Sequence, residues 1–259
     1  MKRNLIEMWR FRALTLALVG RHLNARYRGS LLGFLWSFIN PLLLIGTYTL
    51  VFKFYIRFSE VENYTLFLFT GLLPWIWFSS GLIEATASIS SGGSLVTKAM
   101  FPTHILPCVA VFTNFANFLF AVPLLVLMMA LVGLYPGWSL LVLPLLLLIQ
   151  LVFMLGLGLG LSALNVRFRD VQHIVGNLLT LWFFLCPILY PAHIIPERFR
   201  FTLWLNPPAL LTQMYQSVLY ERVFPDMLPL AASALCAVMA FVVGNFIFNR
   251  GRDEFAELV

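Results

Sequence analysis

Residues 139–163 read SLLVLPLLLLIQLVFMLGLGLGLSA, twenty-five positions without a charged side chain. About 20 mostly apolar residues in a helix cross the hydrocarbon core of a bilayer. The rest of the chain decides between a membrane span and the core of a soluble fold. Of 259 residues, 61% are hydrophobic and 11% charged, whereas a soluble domain carries roughly 25% charged residues. So few charges cannot cover a water-facing surface, which excludes a soluble enzyme. Working outward from 139–163, similar runs predict further spans at about 31–54, 64–85, 105–133, 172–191 and 227–248. The expected fold is an all-α integral membrane protein with six transmembrane helices over residues 31–259.

Two stretches predict something other than plain spans. Residues 1–30 form a separate N-terminal unit in which Phe11, Leu14, Leu16 and Leu18 alternate with arginines. That pattern suits a cytoplasmic helix lying along the membrane interface, and Glu7, Arg10 and Arg12 interrupt any signal-peptide core. Residues 192–226 contain Asn206-Pro207-Pro208 followed by an apolar run, Ala209 to Tyr220. Short re-entrant or interfacial helices are predicted there, since non-helical backbone at membrane depth survives only where protein or a cavity covers it.

Charge sets the orientation, because Lys and Arg favour the cytoplasmic side. With the N-terminus inside, Lys2, Arg3, Arg10, Arg12, Arg21, Arg26, Arg28, Lys98, Arg167, Arg169, Arg250 and Arg252 are all internal. Only Lys53, Arg57, Arg198, Arg200 and Arg222 fall outside. Both termini are expected in the cytoplasm. The net charge of +6 then reads as topology and attraction to anionic lipid, with no nucleic-acid footprint. Cys108, Cys186 and Cys236 lie in apolar runs without CxxC spacing and read as buried apolar residues, with neither disulfide nor metal site expected.

At about 100° per residue, Gly33, Trp36, Ser37, Asn40, Thr47, Tyr48 and Tyr55 share one third of the first span. In the fifth, His173, Gly176, Thr180, Phe183 and Pro187 share a similar arc. Polar residues in membrane helices face protein or a water-filled path. Helix–helix hydrogen bonding is the plainer account for each residue singly. Aromatics mixed with hydroxyl and amide groups also match the needs of a carbohydrate, whose C–H faces stack on rings and whose hydroxyls take hydrogen bonds. Glu84, on the face of the second span with Thr70, Pro74, Trp77 and Gly81, is expected to pair with a basic residue at the interface. Gly156 and Gly160 predict close helix packing. The sequence has no P-loop, HExxH or GxSxG motif, so neither ATP binding nor catalysis is expected of this chain.

The segment Arg26-Tyr-Arg-Gly-Ser-Leu-Leu-Gly-Phe-Leu-Trp-Ser-Phe-Ile-Asn-Pro41 resembles the membrane subunits of bacterial polysaccharide ABC exporters, the O-antigen, capsule and teichoic-acid permeases. The resemblance continues through Gly71-Leu-Leu-Pro-Trp75, Leu95-Val-Thr-Lys-Ala-Met-Phe-Pro102, Ile105-Leu-Pro107, Asn165-Val-Arg-Phe-Arg-Asp170, Asn206-Pro207 and Arg252-Asp-Glu-Phe255. It implies a homodimer in the inner membrane with two separate ATPase subunits, which hold ATP and magnesium. It further implies a channel lined by the first and fifth spans, here Trp36, Asn40, Thr47, Tyr48, Tyr55, Thr180 and Phe183. A coupling helix is implied within 86–104, with Lys98, Phe101 and Pro102 on the matching motif, and Arg167, Arg169 and Asp170 form a second ATPase contact. The cargo would be a lipid-linked glycan whose phosphate meets Arg21, Arg26 and Arg28, since guanidinium pairs bidentately with phosphate. Two other readings compete: an exporter of a drug or small lipid with the same architecture, and a membrane-embedded glycosyl- or acyltransferase. The transferase would need acids or histidines clustered at the membrane face, and none is visible.

Overall fold

The computed structural model describes Glu7 and residues 10–29, 31–57, 61–93, 102–135 and 137–258. Among these there is helix and turn but no strand. Among the described residues, eight α-helices have ten residues or more: α1 Arg12–Tyr27, α2 Trp36–Thr49, α3 Tyr64–Ser91, α4 Ile105–Leu131, α5 Leu143–Arg167, α6 Val171–Leu185, α7 Pro207–Gln216 and α8 Met227–Gly251. A π-helical turn, Leu50–Tyr55, prolongs α2, and a 3-10 turn, Trp138–Val142, leads into α5.

Five of these are long and apolar enough to cross a bilayer: α2 with its π turn, α3, α4, α5 with its leading turn, and α8. The second span outlasts its predicted end at 85, because α3 runs on to Ser91. Residues 86–91 therefore belong to α3 and not to a separate coupling helix.

The predicted fifth span, 172–191, is broken. Helix α6 has 15 residues and ends at Leu185, with Cys186 extended at φ −97°, ψ 141°. Pro187 is the cause, since a proline drives the preceding residue out of the helical region and offers no N–H of its own. Pro187 itself lies past the helix end and leaves the arc predicted for it.

The next helix of ten residues begins beyond Asn206. Its Oδ1 accepts the Ala209 N–H at 3.2 Å and the Trp182 indole N–H at 2.8 Å, while its Nδ2 donates to the Leu185 carbonyl at 3.2 Å. One side chain thus caps α7 and fastens it to the end of α6. From there α7 climbs α3, its Pro208, Leu211, Thr212 and Tyr215 buried, and Gln216 donates to the Pro187 carbonyl at 2.9 Å. Tyr220 meets Phe67 edge-on at 5.6 Å. Helix α7 falls within 192–226, where short re-entrant or interfacial helices are expected.

Helix α3 is the axis of the molecule, buried along most of its length between α4, α5 and α7. Helices α5 and α8 lie side by side and parallel. A Cβ on Gly156 would stand 2.4 Å from the Phe241 nitrogen, and one on Gly244 would stand 1.8 Å from the Gly156 oxygen. The expected glycine packing is thus backbone against backbone. At one end of the bundle Ile89, Leu106, Leu159, Val166, Phe248 and Phe255 form a separate apolar cluster. There Glu7 approaches Nδ1 of His104 at 3.6 Å and the Arg252 guanidinium at 3.4 Å.

Helix α1 lies against the start of α4. Leu18 packs with Ile105 and Val109, joined by Phe11 and Leu14, while Arg10, Arg12, Arg21 and Arg26 stay exposed. Apolar positions 11, 14 and 18 fall on one helical face, which is the amphipathic character expected of this segment.

Candidate functional site

Between α1, the start of α2, and the middle of α3 and α4 lies a cleft of about 340 Å³. Its lining includes Arg26 from α1, Trp36, Ser37 and Asn40 from α2, Trp77 and Ser80 from α3, and Asn114, Asn117 and Phe118 from α4. Helical spacing explains the convergence: 36, 37 and 40 lie on one face of α2, 77 and 80 on one face of α3, and 114, 117, 118 and 121 on one face of α4.

Arg26, at the edge of the cleft, is held in an ion pair. Arg26 donates to Glu84 Oε1, and Asn114 Nδ2 donates to Glu84 Oε2 at 2.8 Å and to the Ala110 carbonyl at 2.9 Å. Glu84 thus finds the basic partner expected of it, together with an amide from the neighbouring helix. Trp77 and Phe118, both lining the cleft, have ring centres 5.2 Å apart, and Trp77 also meets Phe115, outside the lining, at 4.8 Å. Trp77 is 1% exposed. Its indole nitrogen has no hydrogen-bond acceptor among the described residues.

The predicted channel residues divide between two places. Trp36 and Asn40 line the cleft. Tyr48 stacks on Phe183 at 5.7 Å, and Phe183 also meets Trp75 at 5.8 Å. Phe183 is buried, so its ring serves packing between α2, α3 and α6 within this chain. Thr47, Tyr55 and Thr180 are exposed, with the Thr180 hydroxyl donating to the Gly176 carbonyl at 3.1 Å. The stripe on α2 splits because its first turns face α4 while Tyr48 faces α6.

Of the three arginines proposed for phosphate, only Arg26 reaches the cleft; Arg21 and Arg28 are exposed beside it. Lys98 and Phe101 lie outside the described residues. Pro102 is buried, and its carbonyl accepts the Ile105 N–H at 3.0 Å as α4 begins. Arg167 pairs with Glu254 at 2.5 Å, and Arg169 and Asp170 are exposed at the same end.

Sequence reasoning missed Ser80, Asn114 and Asn117. The signal was present in α4, where two asparagines three residues apart interrupt the apolar run VFTNFANFLF at 111–120. Asn165 was noted only as part of a motif. Its Nδ2 donates to the Ser90 hydroxyl at 3.3 Å and its Oδ1 accepts the Gln172 N–H at 3.0 Å, which joins α3, α5 and α6.

Comparison with known proteins fits this helical architecture. Residues 2–220 match the ABC-2 type transporter family. The chain is 44% identical over 255 residues to an O-antigen export system permease protein RfbA of Myxococcus xanthus, covering 98% of each chain. It is 32% identical to an RfbA of Klebsiella pneumoniae, covering 95% of each. A polysialic acid transport protein KpsM of Escherichia coli is 25% identical, with 92% of this chain and 93% of the relative covered. An all-helical membrane fold and a likeness that runs from end to end make this chain a member of the ABC-2 type transporter family.

Proposed function

We propose that this chain is the transmembrane subunit of an ATP-driven exporter that moves a lipid-linked polysaccharide across the cytoplasmic membrane. The observation that carries this reading is the 44% identity, over nearly the whole of both chains, to an O-antigen export permease. The chemistry of the cleft supports it, since two tryptophans, amides and two hydroxyls beside a single guanidinium match a sugar joined to a phosphate.

Two copies of this chain and two ATPase subunits make up the working transporter. Helices α2 and α6 support the dimer by leaving large apolar side chains uncovered, Leu42, Leu43 and Leu44 around α2, and Leu178, Leu181 and Phe184 along one face of α6. A second copy facing these helices forms the channel, with Thr47, Tyr48, Tyr55 and Thr180 along the polymer's path. Both termini are cytoplasmic, supported by the arginines that gather at the end of the bundle holding α1, Arg167 and Arg252.

ATP and magnesium belong to the partner ATPase, which this chain meets through Lys98, Phe101 and Pro102 before α4 and through Arg167, Arg169 and Asp170 between α5 and α6. Hydrolysis in the partner moves those segments and, through α3 to α6, the walls of the channel. Many weak stacking contacts suit a sliding polymer, because no single contact traps it.

The test uses vesicles containing this chain and its ATPase, assayed for glycan export and ATP hydrolysis, with Trp36→Ala and Tyr48→Ala beside wild type. The expected result is export reduced by about 2- to 10-fold, as for loss of an aromatic contact worth ~0.5–1.4 kcal/mol, with the complex and its ATPase activity preserved. Unchanged export would remove these rings from the path. Failure to bind any ATPase would overturn the exporter reading.

A further inference from the structure

Beyond Arg250 the chain turns back on itself: Arg252–Glu254 form a 3-10 turn, and Phe255 meets Phe248 of α8 edge-on at 5.3 Å. Between this turn and the ends of α5 and α8 lies a pocket of about 230 Å³, whose lining includes Leu164, Arg167, Phe246, Arg250, Glu254 and Leu258. Three arginines gather here, and two of them are committed. Arg167 pairs with Glu254 at 2.5 Å and Arg252 with Glu7 at 3.4 Å. The Arg250 guanidinium lies 4.4 Å from the centre of the Phe246 ring, and no carboxylate pairs with it among the described residues. A cation in the last turn of α8 suits the helix dipole, but the dipole does not account for a pocket beside it.

Arg250 also ends an apolar stripe. Met239, Val243 and Phe246 are each about half exposed, and their three- and four-residue spacing puts them with Arg250 on one face of α8. Only 17% of the apolar stretch of α8 is buried in the bundle, so a face this exposed meets the bilayer. From Met239 to Arg250 the stripe rises about 16 Å, close to half of a hydrocarbon core roughly 30 Å thick. The guanidinium thus stands over a column of apolar side chains as long as one leaflet is deep.

We propose that this corner of α5 and α8 binds an anionic phospholipid of the adjoining leaflet, its phosphate on Arg250 and one acyl chain along Phe246, Val243 and Met239. Guanidinium pairs bidentately with phosphate. The pocket is smaller than the roughly 300–1,000 Å³ of drug-sized sites, so it takes a headgroup and leaves the chains in the bilayer. Net charge selects the class of lipid. Arg167 and Glu254 offset each other, which leaves the lining with the single positive charge of Arg250. A phosphatidylcholine brings its own cation beside that charge, whereas a phosphatidylglycerol brings a net negative one. The proposal needs only the membrane fold and concerns a lipid that stays, not the cargo. An acidic face of the ATPase subunit is the competing occupant, and an apolar stripe of leaflet length favours the lipid.

The experiment uses the full chain, delipidated in dodecyl maltoside, and follows its melting temperature as phosphatidylglycerol is titrated into the micelles. Wild type should show a saturable rise, with a smaller rise for phosphatidylcholine. In Arg250→Ala the half-saturating mole fraction of phosphatidylglycerol should be about fivefold higher, the effect of one cation beside an anionic lipid surface. Arg250→Lys should recover most of that loss. Arg198→Ala is the control, because Arg198 lies over the Phe199 ring at 4.7 Å in the segment between α6 and α7; it should titrate as wild type does. Salt should raise the wild-type midpoint, a reading that needs no variant.

Equal rises with phosphatidylcholine and phosphatidylglycerol would overturn the proposal. So would a wild-type midpoint in Arg250→Ala, a shift of the same size in Arg198→Ala, or a midpoint indifferent to salt. Co-purification of the ATPase is measured alongside. If Arg250→Ala loses the ATPase and keeps the phosphatidylglycerol midpoint, the residue belongs to that partner and the lipid site is refuted.

Discussion

Gly244→Ala should loosen the bundle by an amount that follows from one distance. The added methyl would stand 1.8 Å from the Gly156 carbonyl oxygen and 2.7 Å from its carbon, where ordinary contact begins at 3.4 Å. Both obstacles are backbone atoms of α5, so no side chain can rotate aside, and α8 must retreat by about 1.6 Å from its neighbour. Forcing an extra carbon into a packed interface costs about 1–3 kcal/mol. Alanine's better helix propensity returns at most ~1 kcal/mol. The net loss of about 1–2 kcal/mol corresponds to a melting temperature lower by roughly 2–8 °C in a chain of this size. The assay is thermal unfolding of the detergent-solubilised protein followed by size-exclusion chromatography. Gly20→Ala serves as control, because nothing lies within 4 Å of the Cβ it would add. Gly156→Ala, which meets the Phe241 nitrogen at 2.4 Å, should behave like Gly244→Ala, and the double variant should cost less than both together. If Gly244→Ala melts with or above wild type, the two helices are not in backbone contact and the reasoning fails.

Other outcomes follow from single residues. Asn206→Ala removes the cap of α7 and leaves the Trp182 indole without its acceptor; stability should drop by about 2–3 kcal/mol, with faster amide exchange at the start of α7, and Asn206→Asp should recover part of the loss. Arg167 and Glu254 are each about half exposed, at 56% and 48%, so Arg167→Ala should cost no more than ~1 kcal/mol in a melting assay; a larger loss would make the pair a principal clamp. Partial burial, and then the neighbouring Arg21, hold the pKa of His22 below its ordinary 6.5. The unfolded chain then binds this proton more readily, so the stability tied to His22 is complete above pH 6.5 and declines as pH falls through that value. His22→Gln should flatten that acid-side decline in melting temperature between pH 7.5 and 5.5.

Hydropathy located α3, α4, α5 and α8 to within a few residues because each is a long apolar run with little to interrupt it. It failed at α6, where Cys186-Pro187 sits inside an apolar stretch and the run of composition hides a backbone break. The proline was legible, but its effect was not, since Pro74 and Pro123 sit inside helices that continue past them. Asn206-Pro207-Pro208 carried the signature of a helix start, and α7 begins there. The candidate site was readable in fragments. Trp36 and Asn40 were identified from local pattern, Arg26 through the family resemblance, and Glu84 from its rarity in a membrane helix. That these four share one cleft depends on how α1, α2 and α3 are rotated about their axes, which a single sequence does not encode. The same ignorance misplaced Phe183, which turns toward Trp75.

The shortness of α6 has a consequence for the bilayer itself. Fifteen residues of helix span about 22 Å, against roughly 30 Å of hydrocarbon, and the continuation through α7 is buried against α3 instead of facing outward. In the segment that joins α6 to α7, Phe199, Phe201 and Trp204 are all exposed. Aromatic rings of this kind sit at the headgroup level. A helix shorter than the hydrocarbon core is accommodated by thinning the bilayer beside it, which would place the thinnest membrane along the helix that borders the proposed path of the polymer.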